Sequence, residues 1–181
     1  MVAILYEGKS DGDFFDDLLE EHSMPRVNVI YKNFEGKDNL FNLGHKYYDE
    51  IETDISAGRV TNILIVVDAD NKSDPNPNRG FEASKFKLEE TIENLAFDVP
   101  VDYYIMCDEN REGNLESFLL SVLDNKQKEC IDSFKDCYKY ELTDKWAYNT
   151  FYKQKKYPFD FHHQNFNDLK TKLTNLFKED I

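Results

Sequence analysis

Ile63-Leu64-Ile65-Val66-Val67 is an unbroken aliphatic run that passes directly into Asp68-Ala69-Asp70-Asn71. Such a run, bounded by turn-forming residues, predicts a strand buried on both faces. In open α/β sheets, ligands sit at the carboxyl ends of strands like this one. The stretch therefore delivers two carboxylates, Asp68 and Asp70, to a candidate site. If the backbone stays extended, residues two apart point to the same side. A hard divalent cation would then relieve their repulsion. The plainer alternative is a solvated turn, because Asp and Asn are common turn residues.

The flanking chain repeats an alternation of apolar runs and helical periodicity. Val2–Tyr6 predicts a first strand, and Gly12–His22 a helix with Phe14, Phe15, Leu18 and Leu19 facing the sheet. Ser10 or Asp11 is its expected N-cap, with Asp11 favoured as cap over ligand. Residues 26–32 alternate as a second strand. A Gly36-Lys37-Asp38-Asn39-Leu40 turn opens a helix expected to run to Ser56, burying Leu40, Leu43, Tyr47, Ile51 and Ile55 and stopping at Gly58. The third strand spans Thr61–Val67. A Pro- and Asn-rich loop leads to a helix over Phe81–Leu95, with Phe86, Leu88, Ile92 and Leu95 apolar, and then to a fourth strand over Val99–Met106.

The β-α-β-α-β-α-β order predicts parallel strands with helical crossovers, an α/β three-layer sandwich. Residues 1–122 form this Rossmann-like unit with a mainly parallel four-stranded sheet. Residues 123–181 form a helical extension packed on it, with helices near 126–138, 146–156 and from Asn165 or Asn167 onward. Cys107, Cys130 and Cys137 make no CxxC pair and read as packing, the latter two on one helix face.

Charge narrows the function classes. The net charge of -14 argues against a non-specific nucleic-acid coat protein. Residues 1–120 carry 11 basic and 26 acidic side chains, whereas residues 121–181 carry 11 and 10. An acidic front half is a soluble surface or a cation-binding one. The odd cysteine number, the lack of a signal-peptide pattern and the lack of a membrane-length apolar run lead to a cytoplasmic expectation with no membrane contact. His162-His163 and the scattered cysteines have no zinc spacing. GxxxxGK[ST] is absent.

On a parallel frame, carboxylates remote in sequence meet at one edge. Glu7 follows the first strand, Asp68 and Asp70 the third, Asp108, Glu109 and Glu112 the fourth, and Asn114 opens the next helix with Glu116 in its first turn. Such groups raise one another's pKa values, and Mg²⁺ would offset that.

Tyr6-Glu7-Gly8-Lys9-Ser10-Asp11, the strand ending Asp68-Ala69-Asp70, and Gly113-Asn114-Leu115-Glu116 resemble the Toprim domain over residues 1 to about 120. That domain occurs in topoisomerases, bacterial primases, ribosomal-RNA maturation nucleases and OLD-family nucleases. The Gly36–Leu40 turn also looks like that of small stand-alone Toprim proteins. The resemblance implies Glu7 as general acid or base and metal ligand, and Asp68, Asp70 and Glu116 as ligands for Mg²⁺ or Mn²⁺. It implies Gly8, Lys9 and Lys37 as contacts for a phosphate. Metal-assisted chemistry on a DNA or RNA phosphodiester follows, with hydrolysis favoured because no nucleophilic tyrosine or primase zinc motif is assignable. Lys153, Lys155 and Lys156, between tyrosines, are a further candidate nucleic-acid contact, against a solvated helix face. The rival is a non-catalytic Toprim-fold protein that docks a partner such as an ATPase or defence component.

Overall fold

Parallel pairing of four strands sets the architecture of the computed structural model, which describes residues 1–72, 76–138, 142–151 and 160–178. Strands β1 (Val2–Tyr6), β2 (Val29–Asn33), β3 (Asn62–Asp68) and β4 (Val101–Met106) form one sheet in the order β2-β1-β3-β4. Every neighbouring pair is parallel, so the sheet is wholly rather than mainly parallel. Tyr6 pairs with Asn33 on one side and Val66 on the other, and Asp68 pairs with Met106. Glu7, Asp68 and the residues after Met106 thus leave the sheet at one edge. The chain moves outward from β1 to β2 and then crosses back to β3. Strand order therefore reverses between β1 and β3, the crevice where open α/β sheets bind ligands.

The two faces follow from the period of two along each strand. Val2, Ile4, Tyr6, Leu64, Val66, Tyr104 and Met106 share one core with helix α1 (Asp11–Glu21) and, further along the chain, α5 (Leu115–Ser121) and α8 (Asn167–Leu176). Ala3, Leu5, Ile63, Ile65, Val67 and Ile105 share the opposite core with α2 (Lys37–Leu40), α3 (Lys46–Ser56) and α4 (Phe81–Leu95). The result is the expected α/β sandwich of three layers. Helices α6 (Asn125–Cys137) and α7 (Asp144–Phe151) contribute Ile131 and Ala147 to the first core. Leu169, Leu173 and Leu176 of α8 are buried in it too, so the helical extension completes a face of the sheet.

Local chemistry explains the departures from the sequence reading. The helix expected over 38–56 is two helices. Asn42 Oδ1 accepts from Gly44 N–H at 3.1 Å, and His45 Nδ1 accepts from Tyr47 N–H at 3.3 Å, which turns the chain and caps α3. Tyr48 donates from its hydroxyl to the Leu40 carbonyl and is buried, while Leu43 is exposed. Phe86, expected inside, lies outside on α4, where Leu88 is buried. Cys130 and Cys137 are exposed rather than packed, and Cys107 is half-buried. Thr143 Oγ1 accepts from Trp146 N–H at 3.2 Å at the start of α7, as a cap should. No helix among the described residues is long and apolar enough to cross a membrane.

Candidate functional site

The site begins with Glu7, the residue after β1. Tyr6 holds the sheet register, so the Glu7 side chain turns into the crevice between β1 and β3. It is buried, and its Oε1 accepts from Asp68 N–H at 2.7 Å. Oε2 is equally buried and no donor reaches it. Burial raises the Glu7 carboxyl above its usual range, partly offset by the Lys37 charge and the Asp68 N–H.

Asp68 and Asp11 lie beside Glu7, and Glu116 joins the group beside Asp11. Asp68 ends β3, and its Oδ1 accepts from Leu115 N–H at 3.1 Å, in the first turn of α5. Burial, then the charges of Glu7, Asp11 and Asp70, push Asp68 well above the ordinary aspartate range. Asp11 is the first residue of α1 and is not its cap; Ser10 occupies the cap position without a side-chain bond. The Asp11 carboxylate turns back to accept from Gly8 N–H at 2.9 Å. It is pushed up to about 7 by burial, against the Gly8 N–H, with Glu7 and Glu116 adding to the rise. Glu116 sits in the first turn of α5 and is buried beside this group. Gly8 has a different task from the expected phosphate approach: a Cβ there would lie 2.6 Å from Asp11 Oδ1.

Asp70 has another fate. It adopts φ 61, so the chain is no longer extended beyond Asp68 and the same-side expectation fails. Asp70 exchanges main-chain hydrogen bonds with Gly113, at 2.6 Å and 3.2 Å, which pins the turn. Its Oδ2 accepts from Lys37 Nζ at 2.5 Å and also from Arg79. Lys37, expected to contact phosphate, has a side chain with 0% exposure. Its ammonium donates to the Asp68 carbonyl, to Asp70 and to Ser84 Oγ, the last at 3.1 Å. An ammonium has three donors, and all three are engaged, so Lys37 has none left for a substrate. Arg79 and Ser84 were missed in the sequence. The available signal was their place at the two ends of one turn: Arg79 just before α4, Ser84 in its first turn.

Lys9 is exposed beside Gly8. Lys153, Lys155 and Lys156 lie outside the described residues. A cavity of about 470 Å³ opens beside Arg79, lined also by Lys72, Phe81, Glu82, Arg111 and Glu112. Arg111 stacks over the Phe81 ring, 4.8 Å from its centroid, and pairs with Glu82 at 3.3 Å. A smaller cavity of about 180 Å³, between the loop before α5 and α6, is lined by Asp108 and Glu109, which follow β4, and by none of Glu7, Asp68, Asp70 and Glu116.

Among the described residues, no three His, Cys, Asp or Glu side chains are already spaced around one ion. The donor chemistry nevertheless suits a hard divalent cation, because Glu7, Asp11, Asp68 and Glu116 offer only carboxylate oxygens. The buried Glu7 Oε2 without a donor is the specific feature that a cation would satisfy. The Glu7 and Asp68 carboxyl groups lie within hydrogen-bonding reach of each other, so in the metal-free pocket a proton held between them offsets their repulsion.

No curated protein and no solved structure matches the chain. A protein family described as "Protein of unknown function (DUF3226)" matches residues 2–158, a span that includes the sheet, Glu7, Asp11, Asp68, Asp70 and Glu116, and Lys37 and Arg79. The chain belongs to the DUF3226 family.

Proposed function

We propose that this protein performs Mg²⁺- or Mn²⁺-dependent chemistry on nucleic-acid phosphodiesters, as a Toprim-type nuclease acting in the cytoplasm. The observation that carries the reading is Glu7: a buried carboxylate at the strand-order reversal, one oxygen on Asp68 N–H and the other without a donor. Glu7, Asp68 and Glu116 would hold the cation, with Asp11 at hand. A bound divalent ion supplies Lewis-acid stabilisation of charge on the phosphoryl oxygens and lowers the pKa of a bound water.

The protein's own groups do the remaining work. Burial raises Glu7 in the metal-free pocket; as a ligand it would be ionised and would take a proton from a bound water as general base. Asp68 N–H fixes the orientation of the Glu7 carboxyl. Lys9, exposed beside Gly8, would meet a phosphate oxygen. Lys72, Arg79 and Arg111 line the larger cavity and give the neighbouring strand segment cationic contacts in an otherwise acidic half.

The test is cleavage of single-stranded DNA, duplex DNA and RNA with Mg²⁺ or Mn²⁺, each beside Glu7→Gln. Metal-stimulated cleavage that Glu7→Gln abolishes is expected. Failure to cut any substrate, together with no metal-dependent stabilisation, overturns the reading. The net charge of -14 favours a second reading, a non-catalytic protein that docks a partner. A biological phenotype left intact by Glu7→Gln would support it.

A further inference from the structure

Three oxygens of different origin surround Lys37 Nζ: the Asp68 main-chain carbonyl, Asp70 Oδ2 at 2.5 Å and Ser84 Oγ at 3.1 Å. A carbonyl, a carboxylate and a hydroxyl are the ligand set of a hard metal ion. The cation found among them is instead an ammonium, carried on a four-carbon stem from the short α2 and wholly enclosed. It bonds the main-chain carbonyl of Asp68, whose own carboxylate faces Glu7 and Leu115 N–H. The acidic pocket therefore has two adjoining cation positions that share Asp68. One is served by Lys37. The other lies on the Glu7 side, where Oε2 is buried without a donor.

We infer that Lys37 is a built-in cation filling the second cation position of this pocket, so that the pocket takes a single divalent ion on the Glu7–Asp68 side. The inference rests on the metal-dependent reading above. It goes further by fixing the stoichiometry and by removing Asp70 from the ligand set. Asp70 is held at φ 61 and compensated by Lys37 and Arg79. A covalently attached charge cannot dissociate. It therefore holds the turn after β3 in place whether or not a divalent ion is bound, at the cost of the flexibility a two-ion site would have.

Mn²⁺ titration by calorimetry, with low-temperature electron paramagnetic resonance of the same samples, tests this. Wild type is expected to bind one Mn²⁺ with an uncoupled spectrum. Lys37→Ala opens the oxygen trio and is expected to bind two, with an exchange-coupled pair signal and a thermal stability restored by Mn²⁺. Lys37→Arg retains the charge and is expected to stay at one. Two ions in wild type overturn the inference and leave the metal-dependent reading standing; no ion in wild type overturns that reading itself. A folded Lys37→Ala that still binds one ion also overturns the inference. If Lys37→Ala does not fold, Asp70→Asn decides. Its Mn²⁺ affinity is expected within about twofold of wild type, whereas a loss of about tenfold, or 1.4 kcal/mol, makes Asp70 a ligand and overturns the inference.

Discussion

Asp68 and Asp70 stand two residues apart at the end of one strand, yet they live in opposite electrostatic surroundings. Asp68 faces Glu7 and Asp11, and Glu116 lies beside Asp11, with main-chain N–H groups as the donors to this group. Asp70 faces a buried ammonium and a guanidinium. One corner of the site is short of positive charge and the other is fully supplied. The difference teaches that an Asp-x-Asp spacing fixes neither direction nor role. The φ of the second residue, and the cations that wait for it, decide both.

The largest test of this contrast is pH. Asp11 is raised from 3.8 to about 7 in the folded chain. Below pH 4 the group is protonated in both folded and unfolded states. Between pH 4 and pH 7 the unfolded chain has released the proton that the folded chain keeps. Rising pH therefore favours unfolding through that window, and the loss levels off above pH 7. For Asp11 alone the loss amounts to at most about 4 kcal/mol. Urea unfolding of metal-free protein from pH 4 to pH 8 should show that decline, and Asp11→Asn should make it shallower, leaving the part due to Glu7 and Asp68. A stability that rises over this window would break the charge-poor picture of the Glu7 corner.

Next in size is Lys37. Removing one member of a buried, hydrogen-bonded ion pair costs about 3 kcal/mol or more, because the partner stays buried and uncompensated. Lys37→Ala should show a loss on that scale in urea without added metal. Arg79→Gln should cost about 1 kcal/mol or less, since that side chain is partly exposed and Lys37 remains. Equal losses would mean that the two cations share Asp70 evenly, and that the enclosed ammonium has no special standing.

The fold was legible where burial leaves a continuous mark. Ile63–Val67 reads as a strand covered on both sides because every one of its residues must be apolar, and each is buried. Asn114 read as a helix start because its short side chain accepts from Ser117 N–H at 3.1 Å. Glu7, Asp68 and Glu116 were legible because parallel strands bring their carboxyl ends to one edge. Asp70, Lys37 and Asp11 were not. A left-handed φ at a non-glycine residue is imposed by tertiary partners, here Gly113, Lys37 and Arg79. Lysine is almost never fully buried unless paired, so the sequence points Lys37 outward until Asp70 is seen. Asp11 has a good N-cap's composition, and only the closeness of Gly8 N–H diverts it.

Neutralising each aspartate separately should move stability in opposite directions. Asp70→Asn leaves Lys37 enclosed without an anion and should cost about 2 kcal/mol, discounted from a fully buried pair because Asp70 is 21% exposed. Asp68→Asn keeps an oxygen for Leu115 N–H and removes a charge that its neighbours repel. It should stabilise the metal-free protein at pH 7, read as a higher urea midpoint. Two losses of similar size would show that Asp68 is also compensated, and the contrast between the corners would fail.

The smallest effect discriminates most finely, because it asks what Gly8 is for. Glycine after Glu7 suits a backbone that approaches a phosphate, but here the close neighbour is the Asp11 carboxylate. Gly8→Ala would place a methyl 2.6 Å from Asp11 Oδ1 and push that side chain off Gly8 N–H. The cost should be about 1 kcal/mol, the scale of one hydrogen bond. In an Asp11→Ala background the methyl has nothing to displace, so the same substitution should cost almost nothing. The coupling read from the four proteins should then be close to the full cost of Gly8→Ala. Additive losses would mean that the glycine serves the backbone itself and not the carboxylate. The charge-poor corner would then end at Glu7 and Asp68, with Asp11 a bystander to it.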